Sequence, residues 1–88
     1  EGVISIGDRA FTVNRLKSVI IPKSVMTIGS SAFNQNLLEN INIPGNVHTI
    51  GGSAFRNNPI MTVTIEGDSS RFNERWYDIG FPEELKPD

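Results

Sequence analysis

Few side chains in this sequence are of a type that does chemistry, and their spacing decides what they can do. Serines together with the single histidine, His48, supply the parts of a nucleophile–base pair. His48, however, sits at a position that alternates away from its apolar neighbours, as Ile4 and Met26 do, and so reads as a surface side chain. Glu74 and Asp78 stand four residues apart, as two carboxylates on one helix face would. Glycoside hydrolysis needs its two carboxyls about 5 to 10 Å apart across a cleft, which one exposed helix face does not form. There is no cysteine, which excludes thiol catalysis, a disulfide framework and cysteine-ligated zinc. One histidine excludes a multi-histidine metal site, and neither an Asp-x-Asp calcium loop nor a phosphate-binding glycine pattern occurs. The expectation is a chain that is not an enzyme and carries no cofactor.

The background agrees. Eight Lys and Arg face ten Asp and Glu in 88 residues, a net charge of -2. The balance argues against a nucleic-acid partner, which would require a basic patch. No apolar run approaches the roughly 18 residues of a membrane span, so no membrane insertion is expected. Residue 1 is Glu rather than Met, as in a processed chain or an excised piece.

The elements that position these side chains repeat. From Val3, Val25 and Val47 the chain reads VISIGDRAFTVNRLKSVIIPKS, VMTIGSSAFNQNLLENINIPGN and VHTIGGSAFRNNPIMTVTIEGD, a period of 22 residues without insertion. Val3/Val25/Val47, Ile6/Ile28/Ile50, Gly7/Gly29/Gly51, Ala10/Ala32/Ala54, Phe11/Phe33/Phe55, Asn14/Asn36/Asn58 and Ile21/Ile43/Ile65 are identical in every copy, and Leu16/Leu38/Ile60 and Val19/Ile41/Val63 stay aliphatic. One such unit cannot bury its apolar residues alone, so the units must stack.

Within a unit, Val19 and Ile21 alternate with Ser18 and Ile20, the period of a strand. Strands at 17–21, 39–43 and 61–65 are expected to pair in parallel, about 4.8 Å apart, with right-handed connections. Pro22 and Pro44, lacking an N–H, end them. Turns follow, then a second short extended piece at Val-x-x-Ile. The glycine column requires either a positive φ or a close backbone approach. With Asp8 and Ser30 as N-caps, a short helical or 3₁₀ turn is expected over Ala10–Val13 and its copies. The phenylalanines should stack inside, and the asparagines should bond backbone groups that the coils leave free.

The unit I-G-x-x-A-F-x-x-N-x-L-x-x-V-x-I-P-x-x-V resembles the BspA-like leucine-rich repeat, also called the Treponema pallidum type. The resemblance covers residues 3–66. The third copy departs from it, with Glu66 in the proline column and Pro59 where Arg15 and Leu37 stand. The fold it implies is a β-rich repeat solenoid, a right-handed leucine-rich-repeat-like coil. Residues 1–66 would form three repeats (3–24, 25–46 and 47–68, the last two residues shared with the following turn), and 67–88 a C-terminal cap. Proteins of this kind are mostly secreted or attached to the surface of bacteria and some protozoa, and several are implicated in adhesion. The resemblance therefore implies a protein-binding module at an extracellular or cell-surface location, with a passive spacer or stalk as the alternative.

In the tail, Phe72, Trp76 and Ile79 form one helical stripe, with Ser70 as N-cap and Gly80 as C′ residue. Such a helix either covers the last coil or presents Trp76 and Tyr77 to a partner. Residues 3–66 carry net charge +2 and residues 67–88 net -3, neither of them a long run of one sign. A protein partner of unknown identity is expected on the outward strand positions Ser18, Ile20, Asn40, Asn42, Thr62 and Thr64, with Lys17, Glu39 and Met61 at the rim. Three short strands present about 200 Å², against about 800 Å² per partner in a standard interface. That face is therefore expected to be only part of a site. The first coil, entered directly from Glu1-Gly2, should leave Val3, Ile6, Phe11 and Leu16 partly uncovered, an edge open to fraying or self-association.

Overall fold

Backbone groups about 22 residues apart are hydrogen-bonded to one another along the repeats. In the computed structural model, which describes residues 2–86, the N–H groups of Arg9, Phe11 and Val13 donate to the carbonyls of Ser30, Ala32 and Asn34 at 2.8–2.9 Å. One period on, Ser31, Phe33 and Gln35 donate to Gly52, Ala54 and Arg56 at 2.8–3.0 Å. In the other sense, Gly29 donates to Ile6 at 2.8 Å and Gly51 to Ile28 at 2.7 Å. Each 22-residue unit is thus one coil, and its peptide groups find partners in the next.

The coils form two parallel sheets. One contains β1 (Ser5–Ile6), β2 (Thr27–Ile28) and β4 (Thr49–Ile50), in the order β1-β2-β4. The other contains only β3 (Asn40–Ile43) and β5 (Thr62–Ile65), with Asn40 opposite Thr62 and Ile43 opposite Ile65. The expected strand at 17–21 does not form. Side chains link β3 to β5, since Thr62 Oγ1 donates to Asn40 Oδ1 at 2.6 Å and Asn42 Nδ2 donates to Glu66 Oε2 at 2.8 Å. Ser18 and Ile20 stand at the same positions in the first coil, where Ile20 has no polar group to offer such a link. β3 stops before Pro44. Glu66 has the N–H that Pro44 lacks, and donates to Ile43 at 2.9 Å.

The glycine column is explained by close approach. None of Gly7, Gly29 and Gly51 has positive φ. A Cβ on Gly29 would lie 2.5 Å from the Asp8 amide nitrogen, and one on Gly51 would strike the Ser30 backbone. After the glycine, the expected helical turn is replaced by successive tight turns. Arg9, Ser31 and Ser53, then Val13, Gln35 and Asn57, are left-handed, with φ of 55–65°. Those conformations interrupt any helix. Asp8 does not cap its own coil; its Oδ1 accepts from the Ser30 N–H of the next at 2.9 Å.

The core lies between these walls. Phe11, Phe33 and Phe55 stack in a column with centroids 5.4 and 5.3 Å apart and planes within 9°. Val25, Ile28, Ala32, Leu38, Ile41, Ile43 and their third-coil equivalents Val47, Ile50 and Ala54 are buried around them. Asn36 is buried with them and fully bonded. Its Oδ1 accepts from the N–H groups of Asn14 and Leu16 at 3.0 and 2.9 Å, and its Nδ2 donates to the carbonyls of Phe11 and Phe33 at 2.8 and 3.0 Å.

The tail takes the place of a next coil at several of these positions. A 3₁₀ helix, Ser69–Arg75, leads into one α-helical turn, α1 (Trp76–Ile79). Its N-cap is Asp68 rather than Ser70; the Asp68 carboxylate accepts from the Ser70 amide at 3.0 Å and the Ser70 hydroxyl at 2.6 Å. α1 ends as expected, with Gly80 at φ 105°. Gly80 donates to Tyr77 at 3.0 Å and Phe81 to Trp76 at 3.3 Å, the paired bonds of a Schellman ending. Ser53 and Phe55 donate to the Asp78 and Ile79 carbonyls at 2.6 and 3.0 Å, and Phe81 continues the aromatic column 5.2 Å from Phe55. Arginine N–H groups serve other carbonyls of the third coil: Arg75 Nη1 reaches Ile50 at 2.6 Å, where Gly29 and Gly51 served Ile6 and Ile28, and Arg71 Nε reaches Val47 at 2.8 Å. Glu1 and the last two residues of the expected 67–88 unit, Pro87 and Asp88, lie outside the described residues.

Three outcomes follow. Phe33→Ala, in the middle of the column, should destabilise the chain by about 3–5 kcal/mol in urea unfolding, and a loss below about 1 kcal/mol would remove Phe33 from the core. Val13→Asn should stabilise it by about 1 kcal/mol, because a β-branched residue is held left-handed where the third copy has Asn57; a destabilised variant would contradict the strain. The Ser70 hydroxyl, then the Ser70 amide, and more weakly Arg71, hold the Asp68 carboxyl below its ordinary value. The cap is therefore intact above the ordinary aspartate range and lost as pH falls through the lowered value. Amide exchange at Ser70, corrected for intrinsic rates, should quicken there and lose this dependence in Asp68→Asn.

Candidate binding surface

The outward rows follow from the pleat. In β3 and β5 alternate residues point to the core, which leaves Asn40, Asn42, Thr62 and Thr64 exposed. Lys17, Ser18, Ile20, Glu39 and Met61 are exposed as well, so all nine expected residues reach solvent. The structure unites four of them on one sheet, Asn40 beside Thr62 and Asn42 beside Thr64. Ser18 and Ile20 stand on irregular backbone before Pro22.

Two features of this surface bear on recognition. First, three of its polar side chains are engaged in hydrogen bonds, Thr62 with Asn40 and Asn42 with Glu66 just beyond β5. Second, its apolar members are bare: Ile20 is 92% exposed and Met61 67%. Lys17 and Glu39 also border a shallow groove whose other walls are Leu37 and Pro59. Sequence reasoning passed over Leu37 and Pro59 because their column, shared with Arg15, has no common residue type. The available signal was the break in type itself, since a leucine and a proline in a column free of core duty are exposed.

The chemistry-bearing side chains do not converge. His48 is exposed, its Nδ1 3.0 Å from Thr49 Oγ1. Glu74 and Asp78 are exposed, and Asp78 is paired with Arg75 at 2.5 Å. Trp76, expected either to cover the last coil or to meet a partner, is 2% exposed, and its Nε1 donates to the Pro82 carbonyl at 2.8 Å. Tyr77 points outward under the Arg56 guanidinium, 5.2 Å from its ring centroid. Among the described residues no helix is long and apolar enough to cross a membrane.

Comparison with known proteins gives one family and one structure. The family described as BspA type leucine rich repeat region (6 copies) matches residues 1–79. A crystal structure of a leucine-rich cell surface protein from Faecalibacterium prausnitzii A2-165 superposes with a TM-score of 0.74 at 37% sequence identity, over 78% of this chain and 19% of that one. The chain thus spans about a fifth of that protein's length. No curated protein matches.

Proposed function

The chain belongs to the BspA-type leucine-rich repeat family, and on that footing we propose that it is a protein-binding module of a secreted or cell-surface bacterial protein, acting in adhesion. Three coils in a right-handed solenoid, with residues 67–88 as a C-terminal cap, would present the outward rows Ser18/Asn40/Thr62 and Ile20/Asn42/Thr64 to a protein ligand. The observation that carries this reading is the exposure of Ile20 and Met61 beside those rows. Methionine is among the residue types enriched in interface cores, and Ile20 and Met61 do no core work that would otherwise account for them. The cell-surface assignment is supported by the similar protein from Faecalibacterium prausnitzii. A binding role fits the scattered histidine and carboxylates better than a catalytic one.

A spacer is the second reading. It is favoured by the hydrogen bonds that already occupy Asn40, Asn42, Thr62 and Glu66, which leave fewer free groups for a ligand. Surface plasmon resonance over immobilised extracellular-matrix proteins separates the two. Binding that falls at least tenfold in Ile20→Asp and Met61→Asp, and survives Ile4→Asp and Met26→Asp, supports the module. Binding lost only in the second pair would place the site on the other column. No binding by any form supports the spacer.

A further inference from the structure

The tail turns its guanidinium groups inward and leaves carboxylates outside. Arg71 donates to the carbonyls of Pro44, Val47, Glu66 and Asp68, and Arg75 to the Ile50 carbonyl and the Asp78 carboxylate. Glu74 stands on the 3₁₀ helix, and Glu83 opens a further 3₁₀ turn, Glu83–Leu85. Both are exposed, and among the described residues neither carboxylate has an ion-pair or hydrogen-bond partner. Both line one cleft of about 420 Å³, together with Asn73, Trp76, Tyr77 and Lys86. Two glutamates against one lysine leave that lining with one uncompensated negative charge.

The other walls suit a flat cation. Tyr77 is 69% exposed, an aromatic ring without a core role. Rings of this region already take guanidinium groups, since Arg56 lies over Tyr77 at 5.2 Å from the centroid and Arg71 over Phe72 at 4.8 Å. Arg56 holds one face of Tyr77, and the ring has two. Asn73 Oδ1 is buried with no donor among the described residues. That acceptor is an unmade hydrogen bond, and a turn of the amide about its χ2 offers it to an incoming N–H.

We propose that this cleft binds an arginine side chain of a partner peptide. A guanidinium group is planar, stacks on an aromatic face and carries five N–H donors, enough for two carboxylates and an amide oxygen. An ammonium group is a compact point charge with three donors, and it matches the carboxylates without matching the ring as well. A neutral sugar could pack on the ring but brings no charge to answer Glu74 and Glu83. None of the cleft residues belongs to the outward rows, so the inference stands apart from a ligand bound there.

The test titrates the chain with the end-blocked tripeptide Gly-Arg-Gly, with Gly-Lys-Gly and Gly-Gly-Gly as controls. It follows the fluorescence of Trp76, the single tryptophan of the chain, and the NMR signals of the Asn73 side-chain amide. The arginine peptide should shift both signals saturably and the glycine peptide neither. Tyr77→Leu, Glu74→Gln and Glu83→Gln should each weaken binding about threefold, the size of one exposed cation–π or ion-pair contact. Lys86→Gln should tighten it by a similar factor, because a competing cation is removed. All four residues are exposed, so these variants should keep the thermal midpoint of the parent. Ile20→Asp and Met61→Asp should leave the titration unchanged. The proposal is overturned if the arginine peptide gives no saturable shift, if the lysine peptide binds as tightly, or if the four tail variants bind as the parent does. It is also overturned if Ile20→Asp abolishes the response, which would move the peptide to the outward rows, or if N-acetylglucosamine saturates the signals and the arginine peptide does not.

Discussion

The fold rests on the demand that backbone groups which no coil can satisfy internally be satisfied by the next coil. A 22-residue coil with two- and four-residue strands has almost no regular structure of its own. Its N–H and C=O groups point along the stack, and buried unpaired ones are costly. The fixed period brings the glycine-column N–H groups to the Ile6 and Ile28 carbonyls, and the phenylalanine-column N–H groups to the Ala32 and Ala54 carbonyls, at 2.7–2.8 Å. Glycine at the tightest point and alanine one turn later follow from that proximity. Asn36 serves the same demand where the backbone bends away, bonding to five main-chain groups of two coils.

This demand also accounts for the tail. A ladder must end somewhere, and the last coil still presents donors and acceptors. The donors of Ser53 and Phe55 meet carbonyls of α1, while acceptors of Val47 and Ile50 meet guanidinium groups. Arginine suits this role because its planar fork offers several N–H groups from one side chain. Arg71 alone reaches the carbonyls of Pro44, Val47, Glu66 and Asp68. Trp76, Ile79 and Phe81 then close the aromatic column with bulk rather than with a repeat.

Much of this was legible in the sequence because the repeat is its own alignment. Three copies separate obligatory positions from free ones, so the core columns, the parallel pairing, the phenylalanine stack and the Gly80 ending could all be read directly. What could not be read depended on backbone angles or on neighbours in space. The left-handed residues at Arg9, Ser31 and Ser53 include no glycine or asparagine to announce them. Asp8 and Ser30 look like helix caps, but Asp8 bonds across coils. The segment 17–21 alternates in sequence as its copies do, yet its backbone joins no ladder with β3. On the candidate surface, exposure of all nine residues followed from strand alternation, whereas the Asn40–Thr62 and Asn42–Glu66 bonds depended on which residues fell side by side.

The direction of the between-coil hydrogen bonds governs how the fold responds to force. A pull applied between the first repeat and the tail runs along the stack, so the load falls on these bonds lengthwise. Loaded in that way they part row by row rather than shearing together. Each coil that peels away releases 22 residues, about 70 Å of slack at about 3.3 Å per residue. The neighbouring coil keeps its own column of phenylalanine, asparagine and glycine as a template for rewinding. Strain along the stack is therefore taken up one row of bonds at a time, and a break at one junction leaves the rows of the next junction paired.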